Sequence, residues 1–177
     1  MKKLAIVAVA MTLITGMGFA SSLAIPWFVD FAPHEPGAGL PPASGVASVV
    51  YLKNNTGEEV VARIEYFTST GVAIGPAPDE AGGPGNSFAI AALASVGARL
   101  GGTDTTSEAS PGGADIPNRP LGTDGGNDGK KNGSARISWV GDPGDIQGSI
   151  VTWDASGRAT GGVSAIYGYS HLLPAGN

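Results

Sequence analysis

The chain has 177 residues, enough for one domain and too few for two comfortable ones. Its 42% hydrophobic and 14% charged residues, with a mean hydropathy of +0.10, exclude wholesale disorder. Gly 29 and Pro 13 make up roughly a quarter of the chain and exclude a long helical bundle, because each costs about 1 or 3 kcal/mol inside a helix. Zero Cys removes disulfides, thiolate catalysis, zinc ribbons and iron–sulfur ligation together.

The first residues read as an address. Lys2 and Lys3 form a basic n-region, and Leu4 to Ile14 is a nearly all-apolar h-region. Ser22-Leu23-Ala24 offers small side chains at the two positions a signal peptidase reads, which places the cut after Ala24 and makes residues 1–24 the leader. Gly18-Phe19-Ala20 is the second choice. The competing reading is an uncleaved anchor, since no charge occurs from Leu4 to Val29. Thr12, Thr15, Gly16, Gly18, Ser21 and Ser22 dilute the second half of that stretch, and Pro26 and Asp30 break it, so cleavage is favoured and no membrane insertion is expected afterwards. Removing residues 1–24 takes away two Lys and no acid. It leaves 8 basic against 15 acidic residues, a formal charge of −7. Nucleic acid and anionic membrane surfaces are therefore poor partners. The expected location is secreted or periplasmic, with the cell surface as one destination.

From Ile25 onward the dominant period is two, the period of strands. Ile25 to Ala32 puts Ile25, Trp27, Val29 and Phe31 on one wholly apolar face. Val46 to Lys53 is a second apolar run, ended by Asn54-Asn55-Thr56-Gly57. In Glu59 to Phe67, Val60, Ala62, Ile64 and Tyr66 share one side. Thr68-Ser69-Thr70-Gly71 reads as a hairpin turn into Val72 to Ile74. Gly75 to Asn86 is a Pro/Gly loop. Phe88 and Ile90 alternate with small residues, as do Val96, Ala98 and Leu100 after a break near Leu93 to Ser95. The alanines of Phe88 to Leu100 would also suit a helix.

Gly101 to Gly133 is a long Gly-rich loop whose only large aliphatics are Ile116 and Leu121. Loops beyond about 12–15 residues are uncommon in compact domains and are usually functional, disordered or pinned. The plain expectation is a flexible insertion, with Ile116-Pro117-Asn118-Arg119-Pro120 as a local anchor. Ser134 to Val140 then puts Ala135, Ile137 and Trp139 on one face. Gly141-Asp142-Pro143-Gly144-Asp145 is a turn, Ile146 to Asp154 a strand, and Asp154 to Arg158 another turn. Val163 to Leu173 closes the chain with Val163, Ala165, Tyr167 and Tyr169 on one face. Eight or nine short strands with Gly/Pro turns predict an all-β fold. It is read as an antiparallel, immunoglobulin-like β-sandwich forming a single domain over residues 25–177.

Each candidate chemistry has a plainer explanation. Asp124-Gly125-Gly126-Asn127-Asp128-Gly129 carries part of a calcium-loop spacing, but Gly126 and Ala135 stand where an acid or amide and the closing carboxylate belong. Asp142 and Asp145 are explained by their turn. His34 and His171 are too isolated for zinc. Ser164 lacks the second Gly of a nucleophile elbow, and Ser170 and His171 are neighbours that a strand points to opposite faces. Glu65 is the best strand-borne acid; pairing with Arg63 or a cross-strand neighbour accounts for it better than glycoside hydrolysis. Gly82-Gly83-Pro84-Gly85 precedes no helix and supports no phosphate cradle. Asn54-Asn55-Thr56 and Asn132-Gly133-Ser134 match the glycan-acceptor pattern, which is frequent by chance.

Catalytic, cofactor-binding and metal-binding residues are accordingly expected to be none, and the chain is not expected to be an enzyme. Among the aromatics, core packing is the default for Trp27 and Trp139, while Trp153, beside Asp154, is the better candidate for a ring exposed to a sugar. The terminal apolar strands, Ile25 to Phe31 and Val163 to Leu173, are free either to pair within the sandwich or to pair with a sheet edge of another subunit.

The succession Ile25-Pro26-Trp27-Phe28, Tyr51-Leu52-Lys53-Asn54, Ile64-Glu65-Tyr66, Ile116-Pro117-Asn118-Arg119-Pro120, Lys131-Asn132-Gly133-Ser134 and Leu172-Leu173-Pro174 resembles small secreted bacterial proteins of unassigned function. The resemblance implies an exported β-sandwich and no named activity. The function expected is a non-catalytic structural or adhesive interaction protein that binds a protein partner or itself. A carbohydrate- or small-ligand-binding module is the alternative.

Overall fold

A computed structural model describes residues 20–31, 45–74, 86–101, 116–120, 129–154 and 167–174. Among the described residues nine strands follow in order: β1 (Ala20–Val29), β2 (Val46–Asn54), β3 (Val60–Phe67), β4 (Ala73–Ile74), β5 (Ser87–Ile90), β6 (Ser95–Arg99), β7 (Asn132–Val140), β8 (Ile146–Asp154) and β9 (Tyr167–Leu172). Phe88 to Leu100, the stretch that also suited a helix, forms β5 and β6. All strand pairings are antiparallel.

One sheet runs β1-β7-β3-β4, with β5 also on β3; the other runs β6-β2-β8-β9. On β3, β5 pairs with Val60 to Arg63 and β4 with Tyr66 and Phe67, so two short strands divide one edge between them. The chain is an all-β antiparallel sandwich, and its two packed sheets are compatible with an immunoglobulin-like arrangement.

The alternation read from the sequence builds the core. From β3, Ala62, Ile64 and Tyr66 point inward, and from β7, Ala135, Ile137 and Trp139 meet them. The second sheet supplies Val50, Leu52, Val96, Ala98, Ile146 and Ile150. Each of the larger aliphatic side chains among these contributes about 1.5–3 kcal/mol when fully buried.

β1 departs from its predicted pattern in two ways. Its register runs Ile25↔Ala135 and then Phe28↔Gly133, so three steps along β1 match two along β7. That is a β-bulge at Pro26 and Trp27, and the cause is local: proline has no N–H to give the ladder. The extra residue moves the inward face by one position. Ile25 and Phe28 are both fully buried, while Trp27 is turned out and 46% exposed. The single apolar face of Ile25, Trp27, Val29 and Phe31 is thus split, and Trp27 is not a core residue.

The second departure is at the strand's start. β1 reaches back to Ala20, so Ser21 to Ala24, assigned by the small-residue pattern to the leader, pair with β7. Leu23 lies in the core at 7% exposure. Beyond its other end, β1 leaves the first sheet for the second. Asp30 bridges Ala47, the Phe31 N–H donates to the Val46 carbonyl at 2.8 Å, and the Val29 N–H donates to Ser48 Oγ at 3.1 Å.

Both terminal strands pair within the chain, β1 with β7 and β9 with β8. Val163 and Ala165 lie outside the described residues. Among the described residues no helix is long and apolar enough to cross a membrane.

Candidate functional site

Three regions gather the polar and aromatic side chains that packing alone does not explain. The first is the anchored part of the long loop. Ile116 is buried in the core, as the two flanking prolines and its side chain predicted. Pro117 accepts a 2.5 Å hydrogen bond from the Tyr66 hydroxyl, and the Tyr66 ring meets Phe28 edge-on at 5.8 Å. Burial holds the Tyr66 phenol well above its ordinary pKa, an effect that the Arg119 charge reduces in part. Arg119 is 1% exposed. Its backbone N–H donates to Leu100 O at 2.7 Å, and its guanidinium donates to the carbonyls of Pro120 and Lys130. Gly133, at φ 157°, lets β7 start against this cluster: a Cβ there would sit 2.5 Å from the Phe67 carbonyl oxygen. Residues 116–120 are therefore pinned. The rest of the 101–133 loop, apart from Gly101 and residues 129–133, lies outside the described residues.

The second region is a buried ion pair where β1 crosses to the second sheet. Asp30 and Arg99, 1% and 5% exposed, form a salt bridge. Register sets Arg99 opposite Val49 and Asp30 opposite Ala47, both fully buried. A buried carboxylate without such a partner would be strongly disfavoured.

The third is the end of the sandwich where three turns meet. Asn54 is fully buried, and its amide NH₂ donates to the carbonyls of Glu58, Ile90 and Ala91 at 2.7–3.1 Å. Its Oδ1 accepts from the backbone N–H and the hydroxyl of Thr56, both at 2.8 Å. Asn55 ties this turn to the next through Gly144 O and Asp145 O. Leu93 sits at the tip in the left-handed region at φ 57° and is 62% exposed.

The sequence candidates fall out as follows. Glu65 is held by Arg136, its cross-strand partner, at 2.5 and 3.1 Å. Both side chains are nearly half exposed, so the pair adds little, about 0–1 kcal/mol. Asp142 and Asp145 close their own turn: the Asp142 N–H donates to Asp145 Oδ2 at 2.7 Å and the Asp145 N–H to Asp142 O at 3.0 Å.

Asn54, sealed and fully bonded, is closed to glycosylation in the folded chain. Ala135, the twelfth position of the calcium-like spacing, is a core residue in β7. Asp124, Gly126, Asp128, His34 and Ser164 lie outside the described residues. Ser170 and His171 are consecutive in β9, opposite Val151 and Ile150. Among the described residues no group of three or more His, Cys, Asp or Glu is placed to hold a metal ion.

Trp139 is a core residue, as its place on an apolar face predicted, and its indole N–H donates to Asp142 O at 3.1 Å. Trp153 is only partly exposed, and its indole N–H is buried with no hydrogen-bond partner among the described residues. Among the described residues the exposed aromatics are instead Trp27, Phe31 and Tyr51, with Trp27 and Phe31 the most open at 46% and 63%. Four steps of extended backbone would set the Cα atoms of Trp27 and Phe31 roughly 13 Å apart.

No protein-family model matches the chain, and comparison with curated proteins and with solved structures gives no match. The resemblance to small secreted bacterial proteins rests on the quoted residues alone.

Proposed function

We propose that this is an exported, non-catalytic interaction protein of the cell surface or periplasm. In this reading it makes contact with a second copy of itself through the side chains of Trp27 and Phe31. The observation that carries the reading is a pair of exposed aromatics: Trp27, turned out by the bulge in the outer strand β1, and Phe31, just beyond that strand's end. Large exposed aromatics close together mark contact surfaces on soluble domains.

Strand exchange is the less supported route. Pro26, the bulge, and the 2.9 Å hydrogen bond from the Ala24 N–H to Pro174 O all blunt the β1 edge against an added strand. Side-chain contact across the aromatics does not need that edge. The charged groups described fit a non-catalytic role: Asp30, Arg99 and Arg119 are buried in structural bonds, and Glu65 is paired with Arg136.

The test is size-exclusion chromatography and negative-stain imaging of the processed chain, alone and as the Trp27→Ser/Phe31→Ser variant. The intact chain is expected to elute above monomer size and the variant at it. A strict monomer at high concentration removes self-association. The carbohydrate reading is favoured by one observation, the open Trp27 ring, which replaces Trp153 as the stacking platform. A glycan array with a Trp27→Ala control tests it; no binding, or binding untouched by the substitution, rejects it.

A further inference from the structure

The sequence offers two bonds to a leader-cleaving peptidase, after Ala20 and after Ala24. Both have small residues at the positions such an enzyme reads: Gly18 and Ala20, or Ser22 and Ala24. Sequence pattern favours the second and does not exclude the first. The two products differ by Ser21-Ser22-Leu23-Ala24, and the fold treats those four residues as part of the domain.

They are the first half of β1. Of its eight register pairs with β7, a cut after Ala24 would delete Ala20↔Val140, Ser21↔Trp139, Ser22↔Ser138, Leu23↔Ile137 and Ala24↔Arg136. It would strip the β7 edge beside Trp139 and Ile137, two core residues. It would also remove Leu23 from the core. The space Leu23 fills is shaped around it: a Cβ at Gly148 would lie 2.9 Å from its Cδ1, beside methyls of Leu173 and Leu52 at 2.8 and 3.1 Å. Two tethers would go as well, the 2.6 Å bond from Ser21 Oγ to Gly141 O and the 2.9 Å bond from the Ala24 N–H to Pro174 O. A cut after Ala20 costs only the outermost pair.

The structure assigns the processing site to the Ala20–Ser21 peptide bond, an inference that rests on the export reading above. The reaction is hydrolysis by a membrane-associated signal peptidase. Water adds across the amide, leaving the Ala20 carboxylate on the leader and a free amino group on Ser21. Because that bond lies at the outer end of a paired strand, it is cut before β1 zips onto β7.

The experiment is expression of the full chain in a bacterium, recovery of the exported fraction, and reading of its N-terminus by Edman degradation or intact mass. The expected product begins Ser21-Ser22-Leu23-Ala24. A product beginning at Ile25 overturns this assignment while leaving export intact. A chain in that fraction retaining Lys2 and Lys3 overturns the assignment in favour of an uncleaved anchor, and absence of the chain from that fraction overturns export with it. Ala20→Lys is expected to abolish the product that begins at Ser21, and its persistence would count against the assignment. Chains begun directly at Ser21 and at Ile25 supply the physical control. The shorter is expected to melt roughly 10–20 °C lower or to aggregate, and equal midpoints would remove the ground for the inference.

Discussion

Breaking the Asp30–Arg99 pair tests how the N-terminal strand is fastened to the second sheet. The two side chains are 1% and 5% exposed, so removing either leaves a charge in a site with almost no water. Removing one member of a buried pair typically costs about 3–5 kcal/mol, against a total of about 5–15 for a domain. Asp30→Asn and Arg99→Met are each expected to fall in that range, read as a shift in urea midpoint at unchanged slope. The double variant should cost no more than either single one, because no orphaned charge remains. The cycle should therefore show a coupling of about 3 kcal/mol or more. Single-variant losses below about 1 kcal/mol would refute the argument. So would a double variant that costs the sum, since the groups would then act independently.

Tyr66 should make the fold sensitive to alkali. Its phenol is buried, so its folded pKa lies above the unfolded value of about 10. The stability this contributes is complete below about pH 10 and is lost as the pH rises toward the folded pKa, because the unfolded state releases the proton first. Urea midpoints at pH 8 to 11 should fall steeply in the parent and less in Tyr66→Phe; parallel curves would contradict the burial. Gly148→Ala should cost about 1–3 kcal/mol by overpacking. Because the crowding atoms are methyl ends of Leu173, Leu23 and Leu52, Leu23→Ala should relieve part of that cost, and strictly additive thermal shifts would show that Leu23 does not occupy this space.

The strands were legible because one sheet face is dry and the other wet. Val60, Ala62, Ile64 and Tyr66, and Ala135, Ile137 and Trp139, keep the period of two without interruption, and both runs face inward as read. The same signal misled at β1, where Pro26 inserts a residue into the strand and shifts the period, so that Trp27 looked like core and is not. The start of β1 was hidden for a different reason. Ser21, Ser22 and Ala24 are small, and small residues suit both a peptidase subsite and the edge of a sheet. Only the pairing with β7 distinguishes them.

Arg119 was quoted within a Pro-flanked segment, but nothing local marks an arginine as buried. Its acceptors Pro120 and Lys130 are supplied by loop backbone, and the Leu100 carbonyl that receives its N–H is distant in sequence. The Asp30–Arg99 pair was invisible for the same reason, since 69 residues separate its members.

That long-range character bears on the export proposed above. β1 emerges first in synthesis, yet Ser21 closes onto Gly141 across 120 residues, and Ser48 meets Thr152 across 104. Contacts this distant make folding slow, on the order of milliseconds to seconds, because loop closure precedes any reward from pairing. Until β7 exists, the Leu23 end of β1 has no partner strand, although β2 and β6, which hold its Asp30 end, come earlier in the chain. On the proposed export route, an N-terminal half still unpaired would be open to a peptidase. Paired, the same strand fastens one sheet to the other through Asp30 and Ala47 and donates from Ala24 to the Pro174 carbonyl on its flank. If the chain is exported as proposed, this late pairing with β7 would keep the Ala20–Ser21 bond accessible until that strand has emerged.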